Sequence, residues 1–151
     1  MNYWLIKSEP SVYSIEEMER DRTCIWDGVR NYQARNFLRG MTRGDFAFFY
    51  HSNTKYPGIA GLVKVIESDL TDPTQFDPNS QYFDPKSTPE VPRWQTVRVE
   101  FVQQFSNFIP LAQLKQRFTS DELLLVRRGN RLSVMPVAET VAREILILGQ
   151  Q

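Results

Sequence analysis

The residues of this chain best suited to chemistry crowd into one string, Trp26-Asp27-Gly28-Val29-Arg30-Asn31-Tyr32-Gln33-Ala34-Arg35-Asn36. A large indole ring, a glycine, two arginines and three amide side chains fall within one turn and the start of a helix. A helix N-terminus offers free backbone N–H groups to an anion, and Asn or Gln amides can pair with the edge of a base. The competing reading is that Asn31 only caps the helix while Arg30 and Arg35 stand in solvent, a common use of such residues.

Three other clusters carry polar groups. Lys7-Ser8-Glu9-Pro10 ends the first apolar segment, and His51-Ser52-Asn53 ends a second, more apolar one. Arg127-Arg128-Gly129-Asn130-Arg131-Leu132-Ser133 is the densest basic stretch and could clamp phosphate, with Arg128, Arg131 and Ser133 as the groups best placed to do so. Each has a plainer alternative: a charged surface turn, a structural histidine, a solvated arginine turn. Trp26 and Trp94 could form two walls of one slot, or both could belong to the core. A stacked base gains about 1 to 3 kcal/mol on such a ring.

These groups need a scaffold. Tyr3 to Lys7 reads as a strand stopped by Pro10, and Ser14 with Glu17 forms a capping box before a helix that runs to about Arg20. Thr23 to Trp26 is extended, and Asn31 to Leu38 is helical with Gly40 at its C-terminal end. Phe46 to His51 and Ile59 to Ile66 are strands, Gly58 and Gly61 allowing close backbone approach in the second. Residues 68–92, with five prolines, read as a long surface loop. Gln95 to Phe101 alternates as a strand, and Pro110 opens a short helix through Leu114 and Phe118. Leu132 to Val137 makes a last strand, and Val141, Ile145 and Leu148 mark a final helix closing at Gly149. The expected class is α+β, five to six strands with four or five short helices around a curled sheet or small barrel, in one domain spanning 1–151.

At 151 residues folding buries roughly 70% of the unfolded surface, enough for one ordinary core. Eighteen Lys and Arg balance eighteen Asp and Glu. A protein that coats a long duplex usually carries a basic excess, so a nucleic-acid contact here should be local. Cys24 and His51, each alone of its type, exclude an internal disulfide and a usual structural zinc shell. No metal or cofactor is expected, and with no secretory leader or membrane span in view the expected setting is the cytoplasm, as a monomer.

Tyr3 to Pro10, Trp26 to Asn36, Phe49-Tyr50-His51-Ser52-Asn53 and Arg131-Leu132-Ser133-Val134-Met135-Pro136 together resemble the EVE domain family, over about residues 2 to 148. That family is similar in turn to the YTH and PUA-like barrels. The resemblance implies a small PUA-like β-barrel flanked by short helices, and a non-enzymatic module that recognises a modified base in DNA or RNA, single-stranded or flipped from a duplex. In the related YTH readers, residues after the first strand and two tryptophans form the base cage, which maps onto Ser8, Glu9, Trp26 and Trp94. Glu9 departs from the amide-bearing residue of those readers. A carboxylate accepts hydrogen bonds from an exocyclic amine, which favours a modified cytosine. The full expected pocket is Lys7, Ser8, Glu9, Trp26, Val29, Asn31, Tyr32, His51, Ser52, Asn53 and Trp94, with Arg30, Arg35, Arg128, Arg131 and Ser133 on phosphate. Two rivals stand beside it: a base-releasing enzyme using Glu9 or Asp27 as general base, and a scaffold whose Pro-rich loop binds protein.

Overall fold

The computed structural model describes residues 1–150. Its chain order is β1 (Tyr3–Ser8), α1 (Ile15–Asp21), β2 (Thr23–Ile25), α2 (Tyr32–Gly40), β3 (Phe46–His51), β4 (Gly58–Thr71), β5 (Gln95–Pro110), α3 (Leu111–Arg117), β6 (Val134–Val137) and α4 (Glu139–Gly149). One-turn 3-10 segments lie at Pro73–Phe76 and Leu124–Val126.

The strands form one mixed sheet in the order β2-β5-β4-β3-β1-β6, with β1 and β3 parallel and the other pairs antiparallel. β1 and β3 lie inside the sheet, and their unbroken apolar runs are buried on both faces. Trp4, Ile6, Ala47 and Phe49 meet α1 and α2 on one side through Met18, Ala34 and Leu38. Leu5, Phe48 and Tyr50 meet α3 and α4 on the other through Leu114, Val141 and Ile145. β5 is different: from Val99 onward every second residue is buried or half-buried and the others face water.

β4 and β5 are the long members, 14 and 16 residues, and their pairing shifts register at four places. Bulges of this kind bend a sheet sharply. At Gly61 a side chain would start 2.5 Å from the Gln103 carbonyl oxygen, so only glycine lets the strands approach there. The α+β class is as expected from the pattern, but the sheet is open where the resemblance implied a closed barrel. β2 and β6, three and four residues long, remain at opposite edges without pairing, and α2 packs against both β5 and β6.

Helix entries follow their sequence signals. Ser14 and Glu17 make the capping box of α1, and the Asn31 side chain accepts from the Ala34 N–H to cap α2. Asp45 is buried, and its carboxylate ties β1 to β3 by accepting from Asn2 N–H at 2.9 Å, Trp4 Nε1 at 3.0 Å and Thr42 N–H at 3.0 Å. Residues 68–92 depart from the loop reading: β4 continues to Thr71, and Gln75 pins the rest by donating to the carbonyls of Asp72 and Trp94 at 2.6 and 2.8 Å. Among the described residues no helix is long and apolar enough to cross a membrane.

Candidate functional site

Where the two sheet edges approach each other, a cavity of about 570 Å³ opens between the ends of β1 and β2 and the start of β6. Its size falls within the usual range for small-molecule sites. Lys7, Ser8 and Glu9 reach it from β1, Trp26 to Arg30 from the segment after β2, Tyr13 and Asp21 from around α1, Tyr82 from the loop before β5, and Ser133 from the residue before β6.

Trp26 belongs both to the core and to this cavity. It is 7% exposed, sits edge-on to Phe49 at 5.6 Å and 81°, and still contributes to the cavity wall. Ser8 and Glu9 are held in place: the Ser8 hydroxyl donates to the Tyr13 carbonyl at 2.5 Å, and Asn53 Nδ2 donates to Glu9 Oε1 at 2.8 Å. Burial lowers the pKa of Lys7 below its ordinary value. Burial raises that of Asp27, helped by the charge of Asp72 and opposed by Arg30. Burial also pushes the Cys24 thiol up to about 11, leaving it protonated and unreactive.

Tyr82 is the wall that sequence reasoning missed. Its ring lies against Gly28, so closely that a side chain there would begin 2.7 Å from it, and Gly28 holds a φ of 85° besides. Arg30 fixes the loop from below. Its guanidinium donates to the Tyr82 carbonyl at 2.9 and 2.7 Å and to Asp72 at 3.0 Å, while Asp72, also buried, accepts from Gly28 N–H at 2.8 Å. Only one signal in the sequence pointed here, an aromatic pair in an otherwise polar stretch, Tyr82-Phe83.

Several expected pocket residues are therefore elsewhere. Trp94 is buried away from the cavity, because its indole N–H donates to Asp84 at 2.8 Å and its ring stacks on Tyr32 at 4.8 Å and 14°. Tyr32 is spent in that stack, with Arg35 4.8 Å above it. Asn31 is the helix cap, facing a separate cavity. His51 accepts the Ile15 N–H on Nε2 at 3.1 Å, and burial lowers its pKa against the charge of Glu16, so it serves as a neutral acceptor at the head of α1. The Ser52 N–H donates to the Ser8 carbonyl at 2.9 Å and Asn53 supports Glu9, which makes both positioning residues behind the wall. Arg30 is committed to Asp72 and Tyr82, and Arg35 donates to the Arg93 carbonyl at 2.8 Å, so neither is a free phosphate ligand. Lys7, Ser8, Glu9, Trp26, Val29 and Ser133 do converge.

A profile of the EVE domain matches residues 2–148. The chain belongs to the EVE domain family. A Pseudomonas putida protein of known structure is 49% identical to this EVE domain, with a TM-score of 0.93 over 97% of this chain and 99% of that one. The human THYN1 protein, solved in complex with 5-methylcytosine-containing DNA, is 42% identical, with a TM-score of 0.92 over 100% of this EVE domain and 99% of that chain. Thymocyte nuclear protein 1 of Homo sapiens is 44% identical over 156 residues, covering 91% of this chain and 69% of that protein. The YTH domain of Zygosaccharomyces rouxii MRB1 protein, in complex with N6-methyladenosine RNA, shares the fold at a TM-score of 0.60 and 13% identity.

Proposed function

We propose that this EVE domain is a non-catalytic reader that holds one modified nucleobase of DNA or RNA, a modified cytosine, in the cavity between Trp26 and Tyr82. The observation that carries this reading is an aromatic cavity with Ser8 and Glu9 at its rim, in a chain that matches over its full length a protein solved with 5-methylcytosine-containing DNA. The indole of Trp26 and the phenol of Tyr82 offer stacking surface. Glu9 accepts from an exocyclic amine, and Ser8 and Ser133 offer hydroxyl groups to the rest of the base edge. A base must leave its stack to enter, at a few kcal/mol, so single-stranded or unpaired sites bind better. Arg128 and Arg131 stand outside the cavity and take phosphate.

The test is binding of a short labelled oligonucleotide carrying one 5-methylcytosine, against the unmodified strand. We expect preference for the modified strand, a loss of roughly 5- to 150-fold in Tyr82→Ala, matching about 1 to 3 kcal/mol per stacked base, and weaker binding of both strands in Glu9→Gln, since both carry the exocyclic amine. Trp26→Ala would also empty part of the core, at about 3 to 5 kcal/mol, so Trp26→Phe is the informative change there. Unchanged affinity and preference in Tyr82→Ala and Glu9→Gln would overturn the reading. Asp27 favours one rival, since a carboxyl of raised pKa beside a base suits acid–base chemistry. Free base released from the modified strand would establish that rival.

A further inference from the structure

The charge around the base cavity is lopsided. On the β2 side its wall carries Asp27 and Asp21, the latter paired with Arg20 at 2.9 Å, and the arginine there, Arg30, is neutralised by Asp72 at 3.0 Å. On the β1 side stand Lys7 and Glu9, the carboxylate held by Asn53, and Lys7 also lines a second cavity, of about 800 Å³, together with Lys115, Arg127 and Arg128. A third, of about 400 Å³, shares Arg127 and Arg128 with the second and adds Arg131. No Asp or Glu lines either of these two, and among the described residues none of the five cations has a carboxylate within 4.0 Å.

The loop that presents the arginines is built to hold its shape. Asn130 Nδ2 donates to the Leu124 carbonyl at 2.8 Å, and Asn130 Oδ1 accepts the Leu132 N–H at 2.9 Å. Arg127, Arg128 and Arg131 are exposed around this pin. In a chain of zero net charge, five cations left without partners beside one cavity mark a place for anions supplied from outside. A nucleic-acid strand carries those anions at regular spacing, and it must leave the base cavity in two directions.

We infer that the two directions are unequal: on one side of the bound base the backbone follows the trough of Lys7, Lys115, Arg127, Arg128 and Arg131, and on the other it passes Asp21 and Asp27 without phosphate contact. This rests on the base-binding reading, since the bound base defines the two sides. The domain then needs a single flank. It accepts a modified base at one end of a strand as well as within it, and rejects the same base at the opposite end, where the flank would meet carboxylates instead of the trough.

Three short oligonucleotides of equal length test this, with 5-methylcytosine at the 5′ end, at the 3′ end or in the middle, each measured against its unmodified form by fluorescence anisotropy. One end-placed strand is expected to bind within about threefold of the central one and the other about tenfold or more weaker, the loss of a few phosphate contacts. Arg127→Ala and Arg128→Ala, both exposed and free of ion pairs, should weaken the central and the favoured strand and leave the disfavoured one unchanged. Equal affinities for both end-placed strands, with modification preference intact, overturn the one-sided path and leave the base reading standing. Loss of modification preference in all three strands overturns the base reading and the path with it.

Discussion

Asp72 shows how much a single buried carboxylate can arrange. Its two oxygens accept from Gly28 N–H, the Arg30 guanidinium, Thr74 N–H and the Thr74 hydroxyl, at 2.6 to 3.0 Å. It thereby joins the segment after β2 to the loop that carries Tyr82, more than forty residues away in sequence. Removing Asp72 leaves the Gly28 N–H and the part-exposed Arg30 guanidinium without their shared acceptor, a loss of hydrogen bonds to a charged group. Asp72→Ala should destabilise the fold by about 1 to 3 kcal/mol in urea denaturation and release Tyr82 from the cavity, weakening binding of a 5-methylcytosine strand at least as much as Tyr82→Ala does. A stable Asp72→Ala variant with unchanged affinity would show that Tyr82 is held by something else. Glu9 and Asn53 repeat the pattern at the exposed rim, where the hydrogen bond orients more than it stabilises.

At the scale of elements, the long β4–β5 ribbon determines the shape. Its register shifts bend the sheet until the ends of β1 and β2 come near one another, and the cavity lies in that approach. Gly61 permits one of the closest contacts, its backbone lying against the carbonyl oxygen of Gln103. Gly61→Ala is expected to cost about 1 to 3 kcal/mol, because the added methyl meets the Gln103 carbonyl oxygen, which as backbone cannot turn aside, and the buried Ile15 side chain as well. Thermal unfolding measures this, and a melting temperature equal to that of the parent would remove the close-approach argument. The sequence showed the glycine but not its partner: β4 was legible only to Ile66 and β5 only to Phe101, since the residues beyond alternate polar with apolar too weakly to stand out before they are paired.

At the scale of the whole molecule, charge balance sets how the domain meets a polyanion. Eighteen cations and eighteen carboxylates leave no net field to draw in a long duplex, and several arginines are already paired. With five unpaired cations at the trough, the slope of log affinity against log salt for a single strand should be no steeper than about −3.5. A steeper slope, measured by titration across a range of salt concentrations, would mean that phosphates are gripped elsewhere on the surface.

Local physics made much of this protein readable from its residues. The Ser14 and Glu17 capping box, the Asn31 cap, the apolar run from Phe46 to His51 and the apolar face of α4 each follow from hydrogen bonds or periodicities that span a few residues. The convergence of Lys7, Ser8, Glu9 and Trp26 was legible through strand ends and family resemblance. The assignment of Trp94 was not, nor was that of Arg30, because an indole or a guanidinium takes its role from whichever partner the fold brings to it: Asp84, Asp72 and Tyr82 are brought by the segment between β4 and β5, and Tyr32 by the first turn of α2. Which faces of a chain are apolar is a property of neighbours in sequence. Which polar groups remain unsatisfied, and so free to bind something else, is a property of neighbours in space.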